Sequence, residues 1–253
     1  MSDAFRHPIV LFLVLFFVLM ASVFGGVRLN RGKTLEESER QNLGIVLGAT
    51  LTLLALLIGF CFSMASGRYD YRKNLEEGEA NAIGTEYVRA LMLPSASAAH
   101  TRALLRQYTD LRVEWYTTRD SQRLEEIDAA TARVQNDLWL QAQEASALRP
   151  NPIMALFASG MNDVLNSQGY TQAAWSNRIP TTSWMLMIAV AIVCSALFGF
   201  VVRPADGKVR FAFLIPLVVA VALFLIADLD SPRGGFIRVA PNNLATLKPS
   251  LTP

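Results

Sequence analysis

Four long stretches of the sequence contain no Asp, Glu, Lys or Arg, and they limit what this chain can fold into more than any other feature. They cover residues 8–27, 43–67, 179–202 and 211–227. Each has a length within the range of about 17–25 residues that a helix needs to cross a bilayer. The charged fraction of 17% and the mean hydropathy of +0.31 agree with this, since soluble domains have about 25% charged residues. The sequence therefore predicts four transmembrane helices.

Two of the four predicted spans have unusual features. The fourth contains Pro216, which a membrane helix tolerates when its neighbours satisfy the carbonyl that the proline leaves without a donor. The first follows Arg6 and contains Ala21, Ser22 and Val23, which are similar to a signal-peptide cleavage site. Its apolar core is longer than the roughly 7–15 residues of a signal peptide, so we expect an uncleaved anchor.

The four spans divide the chain into four segments. Residues 1–67 form a first transmembrane hairpin, with spans at about 8–27 and 43–67, and residues 68–178 form a helical extramembrane domain. Residues 179–227 form a second transmembrane hairpin, with spans at about 179–202 and 210–227. Residues 228–253 form a C-terminal tail. The predicted fold is an all-α integral membrane protein with a helical polar domain inserted between the second and third spans. Lys and Arg residues near the span ends number seven on one side and eight on the other, so the positive-inside rule does not settle the orientation.

In the polar segment, apolar residues recur at helical intervals among 12 Lys and Arg and 14 Asp and Glu residues. Three stripes are visible: Ala80, Ile83, Tyr87 and Leu91; Leu104, Tyr108, Leu111 and Trp115; and Leu124, Ile127, Val134, Leu138, Ala145 and Leu148. A shorter fourth helix is predicted from Pro152, a favourable first-turn residue, to about Ser167. We interpret the third stripe, nearly in heptad register, as bundle core in preference to an inter-subunit coiled coil. The charges along this third stripe are likewise interpreted as a solvated face.

Several classes of function find no support in the sequence. It contains no P-loop, no dinucleotide-binding glycine pattern, no HExxH and no GxSxG, so no enzyme activity is predicted. Cys61 and Cys194 lie in apolar spans, where we interpret them as small buried hydrophobes. No cofactor or metal site is predicted. The net charge of +2 and the lack of an arginine-rich run argue against nucleic acid as a partner.

Three carboxylates lie close together at Glu76, Glu77 and Glu79. Such positions point around a helix, so these side chains do not converge on a metal ion. We interpret them as an acidic first turn, which the dipole of a helix favours.

Two further stretches lie where apolar spans end. In GFCFSMASGRYDYRKN, residues 59–74, the second span runs into a basic and aromatic segment, as if one helix continued out of the membrane. In IADLDSPRGG, residues 226–235, the fourth span ends on two aspartates, a proline, an arginine and a glycine pair. An unpaired charge within the hydrocarbon costs at least about 2.5 kcal/mol. We therefore expect a membrane-exit charge network, formed by Arg68, Asp228, Asp230 and Arg233. A ring of carboxylates around an ion path, which would favour cations, is the alternative.

These two stretches resemble the bestrophin family of ion channels. In that family a Gly-Phe pair in the second span is followed by an arginine and aromatic residues, and here Gly59-Phe60 is followed by Arg68-Tyr69 at the matching interval. After the last span many bacterial members have an acidic residue, a proline, and then Phe and Gly. The similar residues here are Asp228, Asp230, Pro232, Gly234, Gly235 and Phe236. The stretches EANAIGTEYVRALMLP and DLDSPRGGFIRV further resemble the bacterial membrane proteins described as bestrophin-like.

The resemblance has two departures. Tyr69-Asp70 stands where the family commonly has a tryptophan pair, and the long acidic calcium clasp of animal bestrophins is absent. The resemblance therefore does not imply gating by calcium.

The resemblance implies an ion channel formed by a homo-oligomer, a pentamer by analogy, in the inner membrane of a bacterium. Its partners would be bilayer lipid, further copies of the chain and inorganic ions, with a preference for anions such as chloride. The termini and the polar domain would be cytoplasmic. The second span would line the pore, and Thr52, Leu56 and Phe60 would correspond to the family's hydrophobic neck. Rings of apolar side chains can gate by dewetting.

Two other interpretations stay open. Leu56 and Phe60 are also consistent with contact with lipid or with a neighbouring helix. The whole protein is also consistent with a non-conducting membrane scaffold that binds a partner through its helical polar domain.

Overall fold

The computed structural model of the chain describes residues 8–30, 36–148, 150–202 and 212–251, and within these residues all regular structure is helical. The helices are α1 (Pro8–Leu29), α2 (Glu37–Arg89), α3 (Ser95–Thr117), α4 (Ser121–Leu148), α5 (Pro152–Ser176), α6 (Thr181–Val201), α7 (Leu214–Asp230) and α8 (Asn242–Leu247). Turns of 3₁₀ helix at Ala90–Met92 and Lys248–Ser250 follow α2 and α8. The predicted all-α fold is confirmed.

Three stretches of the described residues are long and apolar enough to cross a membrane: Pro8–Leu29, Glu37–Met92 and Pro152–Val201. They contain the first three predicted spans, and the apolar part of the last stretch is α6. The fourth predicted span corresponds to α7, whose 17 residues are at the lower limit of the range of about 17–25 for a spanning helix. Its predicted first residues, 210 and 211, lie outside the described residues. The count of four spans stays a prediction.

The chain divides into two compact units. The span unit consists of Met1–Arg68 and Arg178–Arg238, and the bundle unit of Tyr69–Asn177 and Val239–Pro253. Helix α2 contributes residues to both. The tail predicted over residues 228–253 is divided between the units, because its first part belongs to the span unit and its second part to the bundle unit.

In the span unit, α1 packs against both α6 and α7. The contact between α1 and α6 is close because each helix has a glycine where the backbone of the other helix approaches it. A Cβ atom at Gly26 would overlap the carbonyl oxygen of Ala196, and one at Gly199 would overlap that of Val23. Close approach through small residues is a common way for helices to associate in lipid, where no hydrophobic force drives them together.

The bundle unit has a hydrophobic core formed by the C-terminal part of α2, by α3, α4 and α5, and by the tail. Ile83, Leu105, Leu138 and Phe157 have no exposed surface. Burial of each such side chain contributes about 1.5–3 kcal/mol relative to its exposure in water. This apolar burial is the main source of stability for the bundle unit.

Helix α4 packs against α3 and α5, and its buried residues are Ile127, Thr131, Val134, Leu138, Ala142 and Ala145. The heptad stripe therefore lies in the core of the bundle, as predicted, apart from its last member, Leu148, which is 77% exposed.

Helix α5 begins as predicted at Pro152. The side chain of Asn151 caps it by accepting a hydrogen bond from the Met154 N–H at 3.0 Å. The helix continues to Ser176, well past the predicted end near Ser167. The polar residues around position 167 therefore lie within the helix.

The acidic residues interpreted as a first helical turn lie in the interior of α2, so that interpretation is wrong. Glu76 is buried, and its carboxylate accepts hydrogen bonds from the Leu244 N–H at 2.9 Å and from Asn243 Nδ2 at 2.6 Å. Glu79 is also buried, whereas Glu77 is exposed. Glu76 thereby holds the start of α8 against α2 and fixes the tail within the bundle unit.

Replacement of Gly26 by alanine is predicted to destabilise the span unit, because the new methyl group overlaps the backbone of α6. Overpacking of this kind costs about 1–3 kcal/mol. The midpoint of thermal unfolding of the purified protein in detergent measures the effect. Gly25→Ala is the matched control, since a Cβ atom at Gly25 meets nothing within 4 Å. Equal midpoints for the two variants would contradict this packing of α1 against α6.

Candidate functional site

The three predicted neck residues lie on one face of α2 and are all exposed in the single chain. Leu56 and Phe60 are 54% and 63% exposed. The hydroxyl of Thr52 donates to the Gly48 carbonyl at 2.9 Å, so its hydrogen is used within the helix. The spacing of four residues places the three side chains in a line along α2.

One narrow face of this part of α2 is buried in the span unit, whereas most of its other side chains are exposed or partly exposed. Leu54, Cys61 and Ala65, spaced by seven and four residues, are buried. An apolar groove of about 610 Å³ lies between α2 and α7, and Phe62 is among its lining residues. Phe62 and Phe60 are two residues apart and therefore lie on different faces of the helix. Helix α2 thus has a buried face, a groove face, and an exposed face that carries the predicted neck.

At the C-terminal end of α7, Asp230 is held from two directions. Arg68 Nη1 lies 3.3 Å from Asp230 Oδ1 in an ion pair. The backbone N–H of Ile179 donates to both carboxylate oxygens of Asp230, at 3.0 and 3.2 Å. Since Ile179 lies just before α6, this carboxylate links α2 and the start of α6 to the end of α7. The structure thus places Arg68 and Asp230, both named for the charge network, in direct contact.

Asp228 holds the chain that follows α7. It is 1% exposed, and its Oδ1 and Oδ2 accept hydrogen bonds from the N–H groups of Phe236 and Ile237 at 2.7 and 2.8 Å. The turn requires a glycine at Gly235, because a Cβ atom there would crowd both the carbonyl and the carboxyl group of Asp228. Arg233 lies within the turn and is half-buried. Asp228 therefore fixes the chain as it folds back over the end of α7.

A group of buried charges lies in the bundle unit, and it was not predicted from the sequence. Arg112 of α3 has no exposed surface and forms an ion pair with Glu79 of α2. The same carboxylate accepts hydrogen bonds from the hydroxyl of Tyr116 at 3.1 Å and from that of Thr171 at 3.4 Å. The guanidinium of Arg112 also lies over the ring of Trp115, 4.5 Å from its centroid. Glu79 thereby joins α2, α3 and α5.

The electrostatics of this group keep its hydrogen bonds in place. Burial disfavours the charged form of Arg112, but the adjacent Glu79 carboxylate outweighs burial and raises the pKa of the guanidinium. Burial, together with the same carboxylate, raises the pKa of the Tyr116 phenol. Arg112 is therefore charged and Tyr116 remains a hydrogen-bond donor at neutral pH. Removing one partner of such a buried pair costs about 3–5 kcal/mol, because the other charge is left uncompensated.

Arg72 is a further buried charge, and it caps the C-terminal end of α5. Its Nε and Nη2 donate to the carbonyl oxygens of Ala174 and Asn177, both at 3.1 Å. The buried charges of α2 occupy positions 72, 76, 79 and 86, which follow helical spacing. That spacing places them on the same stripe as the buried apolar residues of this part of α2. The shared spacing was the feature of the sequence from which their burial could have been predicted.

Comparisons with known proteins agree with this architecture. A family model described as a bestrophin-like domain matches residues 11–244. A crystal structure of a bacterial bestrophin homolog from Klebsiella pneumoniae is similar, with a TM-score of 0.68 at 16% identity, covering 96% of each chain. The same homolog with one mutation gives a TM-score of 0.66 at 17% identity, covering 99% of this chain and 98% of that one. At these identities the likeness shows the fold. No curated protein matches the sequence.

Replacement of Asp228 by asparagine is predicted to loosen the turn after α7. An amide keeps one acceptor oxygen but sets its NH₂ group against a second backbone N–H. A buried donor left without a partner costs about 1–3 kcal/mol. Limited proteolysis within residues 231–238 and the thermal midpoint measure the change. Asp137→Asn, at an exposed position of α4, is the control. If both variants resist protease as well as the unmodified protein does, the role given to Asp228 is wrong.

Proposed function

The chain belongs to the bestrophin-like family, and we propose that it is an oligomeric ion channel whose pore is lined by α2. Two findings support the proposal: the family match over residues 11–244 and the fold shared with a bacterial bestrophin homolog. The observation that carries the role of α2 is the low burial of its apolar segment within the chain, where Thr52, Leu56 and Phe60 form one exposed line.

Helix α2 is also the least covered of the membrane-length stretches in the described residues. Within its most apolar segment 11% of the residues are buried, against 28% for Pro8–Leu29 and 33% for Pro152–Val201. The helices α1, α6 and α7 pack on one another within one chain. Helix α2 therefore retains surface for contact with further copies of the chain.

The proposed mechanism follows from a ring of such helices. With several copies around a common axis, Leu56 and Phe60 of each α2 would point toward that axis and form two apolar rings one turn apart. An apolar constriction expels water when it is narrow and admits hydrated ions when it widens, so small changes in its radius gate the flow of ions. Thr52, a further turn away, would add a ring of hydroxyl groups.

We assign the channel a preference for anions, by analogy with the family. The alternative of a carboxylate ring formed by Asp228 and Asp230 finds little support in the geometry, because both carboxylates are buried and occupied within one chain. The oxygens of Asp228 accept two backbone N–H groups, and those of Asp230 accept the Ile179 N–H beside Arg68. A carboxylate held in this way has little capacity left for a passing cation.

The proposed setting is the inner membrane of a bacterium, with α7 as the fourth span. In that topology both termini and the bundle unit lie on one side of the membrane, which we propose to be the cytoplasm.

Replacement of Phe60 by alanine is predicted to increase single-channel conductance or open probability, because it removes the larger of the two proposed apolar rings. Purified protein reconstituted in planar bilayers under a chloride gradient measures both quantities, and the reversal potential reports the ion preference. Phe62→Ala is the matched control, since this phenylalanine faces the groove between α2 and α7.

Either of two results would contradict the pore-lining role of α2. One is a Phe62→Ala variant that changes conductance as much as Phe60→Ala does. The other is silent bilayers from a well-folded oligomer, which would favour the membrane scaffold.

The assembly in detergent is predicted to contain five copies of the 27.9 kDa chain. A closed ring is needed because the exposed face of a single α2 cannot enclose a path for ions. Native mass spectrometry, or light scattering corrected for bound detergent, gives the number of copies. A monomer would rule out the proposed pore, whereas another ring size would change only the stoichiometry.

A further inference from the structure

Glu86, near the C-terminal end of α2, has a buried carboxyl group that accepts no hydrogen bond from the described residues. It has no exposed surface, and neither Oε1 nor Oε2 has a hydrogen-bond partner in that part of the chain. Arg89, one turn further along α2, places its Nη1 3.6 Å from Oε2, and the Arg89 side chain is itself 26% exposed. A buried carboxylate without donors is costly to keep ionised. Glu76 and Glu79 differ from Glu86 in this respect, because their oxygens accept hydrogen bonds.

Helix α5 closes the other side of this carboxyl group with a glycine. A Cβ atom at Gly160 would overlap both Glu86 Oε2 and Arg89 Nη1, so α5 comes as close to the carboxyl group as a backbone can. On the same side of α5, Phe157 and Val164 are fully buried. The carboxyl group therefore lies at a tight crossing of α2 and α5, on an apolar face of α5.

Three charged groups on the surrounding helices are relevant to the protonation of Glu86. Arg89 on α2 favours the charged form, and Asp163 on α5 disfavours it. On α3, Arg102 lies over the ring of Tyr87, next to Glu86 in sequence, 4.2 Å from the ring centroid. Burial is the largest influence, and the balance raises the pKa of Glu86 to about 7.

We propose that Glu86, Arg89 and Gly160 form a proton-binding site at the crossing of α2 and α5, and that occupancy of this site sets how tightly the last turns of α2 pack on α5. When the carboxyl group is neutral, no negative charge is buried beside Gly160, and the partly exposed guanidinium of Arg89 remains the charged group there. When the carboxyl group loses its proton, a buried negative charge must be balanced by that partly exposed guanidinium. The site goes beyond ion conduction and does not depend on it.

The direction of the effect follows from linkage. The folded protein holds this proton at pH values where the unfolded chain has lost it, because the pKa is raised from 4.5 to about 7. The stabilisation is fully present below the lower value and is lost as the pH rises through the higher one. The crossing is therefore tighter in mildly acidic than in mildly alkaline conditions.

Infrared difference titration of the full-length protein in detergent tests the site directly. We expect the carbonyl band of a buried protonated carboxyl group to disappear with a midpoint near 7. The band should be absent in Glu86→Gln, which keeps the shape of the side chain. It should persist in Glu77→Gln, which changes an exposed carboxylate of the same helix.

Two further variants should move the midpoint in opposite directions. Arg89→Gln removes the cation that favours the charged form, so the midpoint should rise, by about one unit or more. Asp163→Asn removes the neighbouring negative charge at an exposed position, so the midpoint should fall. Asp163→Asn also keeps the test decisive if Glu86→Gln does not fold.

Hydrogen exchange, corrected for the intrinsic rate at each pH, measures the packing. Amides of residues 83–92 and 153–163 should exchange about tenfold more slowly at low pH, the factor that corresponds to one pKa unit of coupling. Glu86→Gln should show the slow rate throughout. The proposal is overturned if the unmodified protein shows no such band, if Glu86→Gln keeps the band or the pH dependence of exchange, or if the two charge variants shift the midpoint in the same direction.

Discussion

The buried stripe of α2 is the constraint on which the packing of each unit depends. In the span unit the stripe consists of Leu54, Cys61 and Ala65, whose side chains require no hydrogen-bond partner on the helices around them. In the bundle unit the same helix buries charges at positions 72, 76, 79 and 86, and each meets a different part of the chain. Arg72 caps the end of α5, Glu76 holds the tail, Glu79 pairs with α3, and Glu86 meets the backbone of α5. Because a buried charge is costly unless it is paired, these contacts select one arrangement of the bundle.

Much of the fold could be predicted because charge-free runs and helical periodicity are local properties. The first predicted span, 8–27, differs from α1 by two residues at its end, and the third, 179–202, differs from α6 by two at its start and one at its end. The start of α5 was predictable from Pro152, whose fixed backbone angle suits a first turn. Its end was not, because the residues after Leu165 contact the rest of the bundle as a continued helix: Thr171 is buried and donates to Glu79, and Trp175 packs in the core.

The candidate site was predictable in part. The resemblance indicated Phe60, and steps of four residues placed Leu56 and Thr52 on the same face of the helix. Only the packing of the folded chain decides which faces of α2 are uncovered. The partners of Asp228 were not predictable, since they are backbone N–H groups that no pattern of charges reveals. Gly235 was the available signal, because a glycine beside an aspartate-rich helix end marks a close approach of backbone. The buried charges of α2 were missed because a search for apolar periodicity excludes charged residues from the stripe that they complete.

The exposed face of α2 also limits how ions could be selected. In lipid, exposed apolar side chains are neither favoured nor penalised, so Leu56 and Phe60 alone do not distinguish a pore from a lipid-facing surface. Apolar rings carry no charge, and they control passage through hydration and width. Any preference between ions must then come from polar groups beside the rings. Thr52 is such a group, and its hydroxyl hydrogen is directed to Gly48 in the same helix. In that state the hydroxyl offers only acceptor lone pairs, which suit a cation. In the proposed pore, an anion would be stabilised at this ring only if the hydroxyl gave up its intrahelical bond and turned toward the ion. The rotation of Thr52 would then couple selectivity to the local structure of α2.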